Sequence, residues 1–224
     1  MQSPSECALV VLKSCFQILN SFYFHSNKSI LPLKQFALAF LFLFSIALNA
    51  QKHIYDVELF GKKIGSTVVE RIDKGNGEVE YKLNSNSTVN ILFTKKTSAM
   101  TMDVIYKNGQ MISSYVKNVK DDVTEVATVL WDGAKYVIKR GEETLVMKQV
   151  VDFSNVLLYY VEPKGRLSIF SERLGRSWGF TSLGNGVYEC KLDNGVDNVY
   201  RYKNGSLVEL EMSKGASVFM RLVK

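Results

Sequence analysis

Hydrophobic and polar residues alternate along most of the chain from residue 53 onward, which is the pattern of β-strands with one buried and one solvated face. In the stretch YDVELF, Tyr55, Val57 and Leu59 fall on one face, and the two acidic residues between them fall on the other. The stretches EVEYKL, MTMDVIY and ASVFMRL repeat this period. They are rich in Val, Ile, Tyr and Phe, which strands prefer. The pattern therefore predicts antiparallel sheet.

Turn signals containing glycine separate these stretches. Several are Asn-Gly or Asp-Gly pairs, as at Asn76-Gly77, Asn108-Gly109 and Asn204-Gly205, and such pairs favour tight hairpins because both residues tolerate positive φ. Their spacing is often about 8–12 residues, the interval expected of an all-β sandwich or barrel. We therefore expect a mainly β domain, an antiparallel meander of about ten or eleven strands, curled into an open barrel or half-barrel.

One stretch, VVDFSNVLLYYVEPKG, breaks the alternation. Asp152 is a suitable helix N-cap, the apolar residues after it have helical spacing, and Pro163 would end the helix. The pattern predicts a short helix over residues 152–161 that fills the concave side of the sheet. Since Val and Tyr also suit strands, one more buried strand is the alternative.

The stretch FALAFLFLFSIALNAQ near the N-terminus is apolar from Phe36 to Leu48, apart from one serine. Thirteen residues are too few for a membrane-spanning helix, which needs ~20, and fit the hydrophobic region of a secretory signal. We assign residues 36–50 as a signal peptide, cleaved after Ala50 or alternatively after Ala47. An uncleaved anchor and a buried core helix are the other interpretations.

Residues 1–35 precede this apolar run and are longer than a signal normally requires. They are either mistranslated upstream sequence or a genuine long N-terminal region. The expected mature protein is a single β-rich domain of residues 51–224, exported to the periplasm or beyond. Membrane contact is expected only through the signal segment before cleavage.

Charge and cysteine content narrow the function classes. The chain has 28 basic and 22 acidic residues and a net charge of +6, scattered without the basic stripe of a nucleic-acid-binding protein, so no nucleic acid partner is expected. Cys7 and Cys15 lie before the cleavage site, which leaves Cys190 alone. Cys190 alternates with Tyr188 and Leu192, and we interpret it as a small buried hydrophobe.

The sequence contains few residues that could form a catalytic site. His53 is the one histidine after the cleavage site, and we interpret it as a solvated residue near the terminus. The sequence shows no cysteine pair for zinc and no phosphate-binding glycine motif. Asp152 and Glu172 are the carboxylates considered for a glycan-cleaving enzyme, with Asp56 and Asp103 as further candidates. We expect no enzyme, no metal and no cofactor.

Aromatic and arginine residues are the remaining candidates for a binding site. The arginines Arg173 and Arg176, within SERLGRSWGF, are candidates for an acidic head group; the alternative is a loop held by a contact between arginine and Glu172. Aromatic residues could line a ligand cavity, although most buried aromatics are core. The ligand-lining candidates are Trp131, Tyr159, Tyr160, Trp178 and Phe180.

Three stretches of the chain resemble a known family. They are YDVELFGKKIGSTVVER, FSNVLLYYVEPKGRLSIFSERLG and DNVYRYKNGSLVELEM. Together they resemble the exported bacterial proteins of domain-of-unknown-function family 6134, and more distantly those of family 3108. The resemblance covers residues 53–224. It implies a curved antiparallel sheet around a helix, reminiscent of half-barrel lipoprotein carriers, and brings no catalytic residues.

Three functions follow as hypotheses. The first is non-enzymatic binding of a lipid or other apolar ligand in the cell envelope. The alternative is a structural or protein-interaction module of the envelope without a small ligand. The third, supported least, is a carboxylate enzyme acting on envelope glycans.

Overall fold

The computed structural model describes residues 50–91, 94–192, 195–214 and 216–223. The doubtful extension 1–35 and the signal peptide 36–50, except Ala50, lie outside the described residues. No helix in the described part is both long and apolar enough to cross a membrane.

Fifteen strands and one short 3-10 helix make up the described part. The strands are β1 (Gln51–Leu59), β2 (Lys62–Gly75), β3 (Glu78–Ile91), β4 (Thr94–Lys107), β5 (Gln110–Lys120), β6 (Val123–Trp131), β7 (Tyr136–Arg140), β8 (Glu143–Met147), β9 (Ser168–Ser171), β10 (Arg176–Gly179), β11 (Thr181–Gly184), β12 (Val187–Lys191), β13 (Asp197–Lys203), β14 (Ser206–Lys214) and β15 (Ala216–Leu222). The 3-10 helix is Asn155–Tyr159.

Thirteen of the strands form one antiparallel sheet in the order β11-β12-β13-β14-β15-β1-β2-β3-β4-β5-β6-β7-β8, and β9 and β10 pair separately. The sheet is a meander joined in its middle, where the last strand β15 pairs with β1 and sets Val57 opposite Met220. Strands β11 and β8 are its open edges. The predicted fold class is confirmed. The strand number exceeds the expected ten or eleven because β8 to β11 are short strands of four or five residues in stretches without clear alternation.

The predicted inward faces are the buried ones. Tyr55 and Val57 on β1 are buried, as are Tyr81 and Leu83 on β3. Met102, Val104 and Tyr106 continue this core on β4, and Cys190 is buried on β12 as predicted. Burial raises the pKa of the Cys190 thiol to about 11, so the thiolate is disfavoured.

The Asn-Gly pairs form the hairpins that their sequence predicts. At the turn between β4 and β5, Asn108 has φ 50° and Gly109 has φ 81°. Positive φ at both central residues is the requirement of a type I′ turn, whose twist matches that of the flanking strands. Asn204 and Gly205 do the same between β13 and β14, with φ 53° and 79°. The repeated YKNG stretch is thus one hairpin solution used twice.

Gly65 marks a close approach between two long strands. In the stretch GKKIG, Gly61 lies in the turn between β1 and β2, whereas Gly65 lies inside β2 opposite Ser87. A Cβ atom at residue 65 would overlap the backbone carbonyl of Asn86 on β3. The neighbouring strand β1 has a register shift between Val57 and Glu58 at this point, so the glycine permits a local distortion of the sheet.

We expect Gly65→Ala to lower the free energy of unfolding by about 1–3 kcal/mol, because backbone of β3 must move to admit the methyl group. Urea denaturation followed by circular dichroism measures the change. Gly179→Ala is the matched control, since that strand glycine has open space around its Cβ position. Equal effects of the two substitutions would contradict the packing argument.

Candidate functional site

The interior of the curved sheet holds an irregular stretch between β8 and β9, residues 148–167, which we call the central segment. It contains the 3-10 helix Asn155–Tyr159, whose residues Val156, Leu157 and Leu158 are buried. The predicted helix is therefore present, but it is shorter than residues 152–161. Ser154, not Asp152, is the residue that precedes the first helical turn, and it makes no side-chain cap. The expected cap at Asp152 is wrong because this side chain faces solvent and pairs with Arg166 at 2.7 Å.

Tyrosine hydroxyls attach the central segment to the sheet. Tyr202 on β13 donates to the backbone carbonyl of Leu158 at 2.8 Å, and Tyr106 on β4 donates to the Ser154 hydroxyl at 2.7 Å. Tyr136 on β7 accepts from the backbone N–H of Val151 at 3.2 Å. The bonds of Tyr202 and Tyr136 satisfy backbone groups that a buried irregular segment would otherwise leave unpaired, and the bond of Tyr106 holds the Ser154 side chain.

Glu172 is the buried carboxyl at the base of this arrangement. Its Oε1 accepts from the Ser154 hydroxyl at 2.6 Å and from the Val156 backbone N–H at 3.0 Å. The side chain is completely buried, and Oε2 has no hydrogen-bond partner among the described residues. Burial raises the pKa of Glu172, and the bonds from Ser154 and the backbone oppose this only in part. The expected loop contact between Glu172 and an arginine is wrong, since the carboxyl group turns inward to the central segment.

His53 also contacts the central segment, so its interpretation as a solvated residue near the terminus is wrong. Its Nδ1 lies 2.9 Å from the carbonyl oxygen of Tyr159 and donates to it. Its ring stacks on Tyr160 with ring centroids 4.6 Å apart. Tyr160 in turn donates to the carbonyl of Gln51 at 3.0 Å. Two hydrogen bonds, one from each partner, therefore join the start of β1 to the central segment.

The central segment leaves a cavity of about 300 Å³ beside the 3-10 helix. The cavity lies between β3 and β4 on one side and β12 to β14 on the other, and the β9–β10 hairpin contributes to it. Most of its lining is apolar. The aliphatic and thioether side chains that line it are Leu83, Met100, Met102, Val156, Leu158, Leu174, Leu192, Val196, Leu210 and Met212. The three flexible methionines, two on β4 and one on β14, allow the cavity to adapt to ligand shape.

Two other depressions of about 300 Å³ are more polar. One is lined by Thr124, Glu125 and Arg140 beside β6 and β7. The other is lined by Asp152, Arg166 and further polar residues of the outer part of the central segment. Apolar lining with few polar groups is typical of small-molecule sites, so the cavity beside the 3-10 helix is the candidate site.

Three of the seven candidate residues line this cavity: Tyr159, Trp178 and Arg173. Arg173 is exposed at the mouth, where its Nε lies 3.8 Å from the carboxylate of Glu125. The guanidinium of Arg176 lies 4.2 Å above the Trp178 ring, so it supports the indole without lining the cavity itself.

The other three candidates lie elsewhere. Trp131 packs against Tyr136 with ring centroids 4.7 Å apart. Tyr160 stacks on His53, and Phe180 packs in the core against Tyr188 and Tyr200.

The residues that sequence reasoning missed are mostly methionines and leucines. Met100 and Met102 alternate along MTMDVIY, which identified them as inward-facing but not as cavity-lining. The pairing of distant strands, which brings Met212 on β14 to the same cavity as Met102 on β4, has no local signal. The burial of Glu172 also has no local signal, since Ser171 and Arg173 flank it as they would an exposed turn residue.

Asp152 and Glu172, the two carboxylates first considered for catalysis, do not line a common cavity. Glu172 is closed off from solvent, whereas Asp152 is exposed and bound to Arg166. Within the described ranges, no three His, Cys, Asp or Glu side chains come together as a possible metal site.

Comparison with known proteins gives a family and a fold. A family model described as Domain of unknown function (DUF6134) matches residues 55–223. A solved structure, titled as a beta-barrel-like protein of domain of unknown function DUF1849 from Brucella abortus, is similar at 15% sequence identity and a TM-score of 0.52. The similarity covers 79% of this chain and 97% of that one. No curated protein matches the chain. The resemblance to family 6134 is thus confirmed, and the structural likeness supports the barrel-like fold alone.

The buried Glu172 predicts how stability depends on pH. Above the ordinary glutamate pKa of 4.5, the unfolded chain loses this proton while the folded protein keeps it. The proton on Glu172 therefore stabilises the folded state fully below pH 4.5. This contribution to the free energy of unfolding decreases as pH rises and is lost once pH has passed the raised pKa of the folded protein. Glu172→Gln retains a neutral side chain at every pH. We therefore expect the variant to gain stability relative to the wild type as pH rises from about 4.5 to 8.

Urea denaturation of both proteins at pH 4.5, 6 and 8 measures this difference. Glu125→Gln, which removes an exposed carboxylate, serves as the control and should show a smaller change with pH. A difference between wild type and Glu172→Gln that stays constant across pH would show that Glu172 is ionised in the folded protein.

Proposed function

This chain belongs to the family described as Domain of unknown function (DUF6134), and we propose that it binds a lipid or other apolar molecule in the cavity beside the 3-10 helix. The observation that carries the proposal is a cavity of about 300 Å³ with a mostly aliphatic and thioether lining. This volume lies at the lower end of small-molecule pockets, which run from ~300 to 1,000 Å³. The binding is non-enzymatic and takes place in the cell envelope after export.

The shape of the interior supports this function. A central segment that filled the sheet completely would leave no site, but the 3-10 helix has only five residues. It packs close to β14 and β9, and the space beside it toward β3 and β4 stays open. Because hydroxyls and the Glu172 carboxyl hold the central segment, the cavity persists without ligand and a ligand need not displace this segment.

The alternative, an envelope interaction module, is favoured by the outer face near edge strand β8. There Leu130 and Val146 are 56% and 57% exposed, and Val137 lies between them in register. An open edge strand with an apolar outer face is a surface on which another protein can pair or pack.

Native mass spectrometry separates these two functions. We expect the protein, expressed from the full-length gene and purified without detergent from the periplasm, to carry an extra mass that extracts into organic solvent. Met212→Trp, which places an indole in the cavity, should lose this mass. Met147→Trp is the matched control on β8, outside this cavity, and should keep it. A ligand-free mass together with a copurifying protein would favour the interaction module.

The two tryptophans provide an independent test, because Trp178 lines the cavity and Trp131 does not. The Trp131→Phe variant leaves Trp178 as the single fluorophore, and Trp178→Phe leaves Trp131. We expect 1-bromodecane, an apolar ligand whose bromine quenches indole fluorescence on contact, to quench the first variant in a saturable manner and to leave the second nearly unchanged. Equal quenching of both, or of neither, would contradict binding in this cavity.

A further inference from the structure

Two residues of the cavity lining each carry a buried polar atom without a partner. The indole Nε1 of Trp178 and the amide Oδ1 of Asn198 are both buried, and neither has a hydrogen-bond partner among the described residues. Both residues line the cavity beside the 3-10 helix. A buried polar group left unpaired destabilises the folded protein, and the large majority of such groups in folded proteins are satisfied. Two of them at one apolar cavity indicate a ligand with matching polar atoms.

The chemistry of the two atoms restricts what can satisfy them. An indole N–H can only donate, and an amide carbonyl oxygen can only accept. A ligand that satisfies both must therefore accept one hydrogen bond and donate another. A hydroxyl or an amide does this, whereas an ether or an ester only accepts. A carboxylate also only accepts, and it would bring negative charge toward Asn198 Oδ1.

The surroundings hold the polar atoms in place and supply the apolar part of the site. The guanidinium of Arg176 lies 4.2 Å above the Trp178 ring, which fixes the ring through a cation–π contact. Asn198 lies opposite Cys190 on β12 and Met212 on β14 in the sheet register. The remaining wall of Met100, Met102 and Leu210 presents only apolar atoms and suits a hydrocarbon chain.

The mouth of the cavity does not favour an anionic group. Arg173, the cation that lines it, is 48% exposed and lies 3.8 Å from the Glu125 carboxylate. Its charge is thus screened by water and partly offset by an adjacent negative charge. The unpaired buried atoms, and not the exposed arginine, distinguish this cavity.

We propose that the cavity binds a neutral single-chain molecule bearing a hydroxyl or an amide, with Trp178 donating to its polar group and Asn198 accepting from it. The hydrocarbon chain lies against the methionines and leucines of β3, β4 and β14. This inference rests on the proposed function, since it assigns the ligand class of the same cavity.

Equilibrium dialysis with three probes that share a decyl chain tests the inference. Decan-1-ol donates and accepts, 1-methoxydecane only accepts, and 1-bromodecane offers no strong hydrogen bond. We expect decan-1-ol to bind the full-length protein about tenfold more tightly than 1-methoxydecane, the ratio expected for one lost hydrogen bond at a buried acceptor. Asn198→Leu should abolish this ratio by weakening decan-1-ol alone. Trp178→Phe should weaken decan-1-ol and 1-methoxydecane alike and leave 1-bromodecane unchanged.

Other outcomes would contradict either the ligand class, the proposed function or the role of Trp178 and Asn198. Equal affinity of decan-1-ol and 1-methoxydecane for the wild type would overturn the ligand class and leave apolar binding intact. Failure of all three probes to bind would overturn the proposed function as well. Decanoate binding more tightly than decan-1-ol, with the gain lost in Arg173→Gln, would assign polar recognition to the arginine and overturn the inference. Trp131→Phe, which alters the tryptophan outside the cavity, is the control and should change none of the affinities.

Discussion

The burial of an irregular backbone segment inside a curved sheet is the constraint on which this fold depends. Backbone N–H and C=O groups removed from water need partners, and a five-residue 3-10 helix satisfies few of its own. The sheet supplies these partners from its inner face, through Tyr202 and Tyr136, and Glu172 adds a further acceptor after β9. An inner face built only of aliphatic residues would bury the segment equally well but leave its backbone unpaired. This is the physical reason for a tyrosine at positions 136 and 202.

The same constraint explains why a cavity remains. Hydroxyl bonds fix the distance between the central segment and the strands that carry the tyrosines, so the segment cannot move across the interior to fill all of it. Met100 on β4 and Met212 on β14 line the cavity and make no such bonds to the segment. Close packing normally removes empty space from protein interiors. Here a cavity of about 300 Å³ remains because hydrogen bonds hold the central segment away from part of the sheet.

Local sequence patterns predicted the inward faces of strands and the hairpin turns. They did not predict contacts between residues that are distant in sequence. The alternation in YDVELF and MTMDVIY gave the inward faces of β1 and β4, and Asn108-Gly109 gave a hairpin, because both follow from local geometry. The contact of His53 with Tyr159 joins residues 106 positions apart in sequence, and the bond of Glu172 to Ser154 joins residues 18 positions apart. No local pattern encodes such contacts. Among the seven candidate site residues, Trp178, Tyr159 and Arg173 lie at the cavity because the β9–β10 hairpin and the 3-10 helix flank it. Trp131 lies elsewhere because β6 is on the far part of the sheet.

The inner face thus has two kinds of side chain with separate roles. Tyrosines are rigid, and their hydroxyls specify one position of the central segment, whereas methionines are flexible and adapt to what lies against them. Tyr106 and Met102 illustrate the division, since they alternate on the inner face of the same strand, one bonded to Ser154 and the other lining the cavity. A rigid frame with an adaptable wall allows the apolar part of a ligand to vary while its polar group is recognised at fixed atoms. Selectivity for ligand class then resides in Trp178 and Asn198, and tolerance of chain shape resides in the methionines.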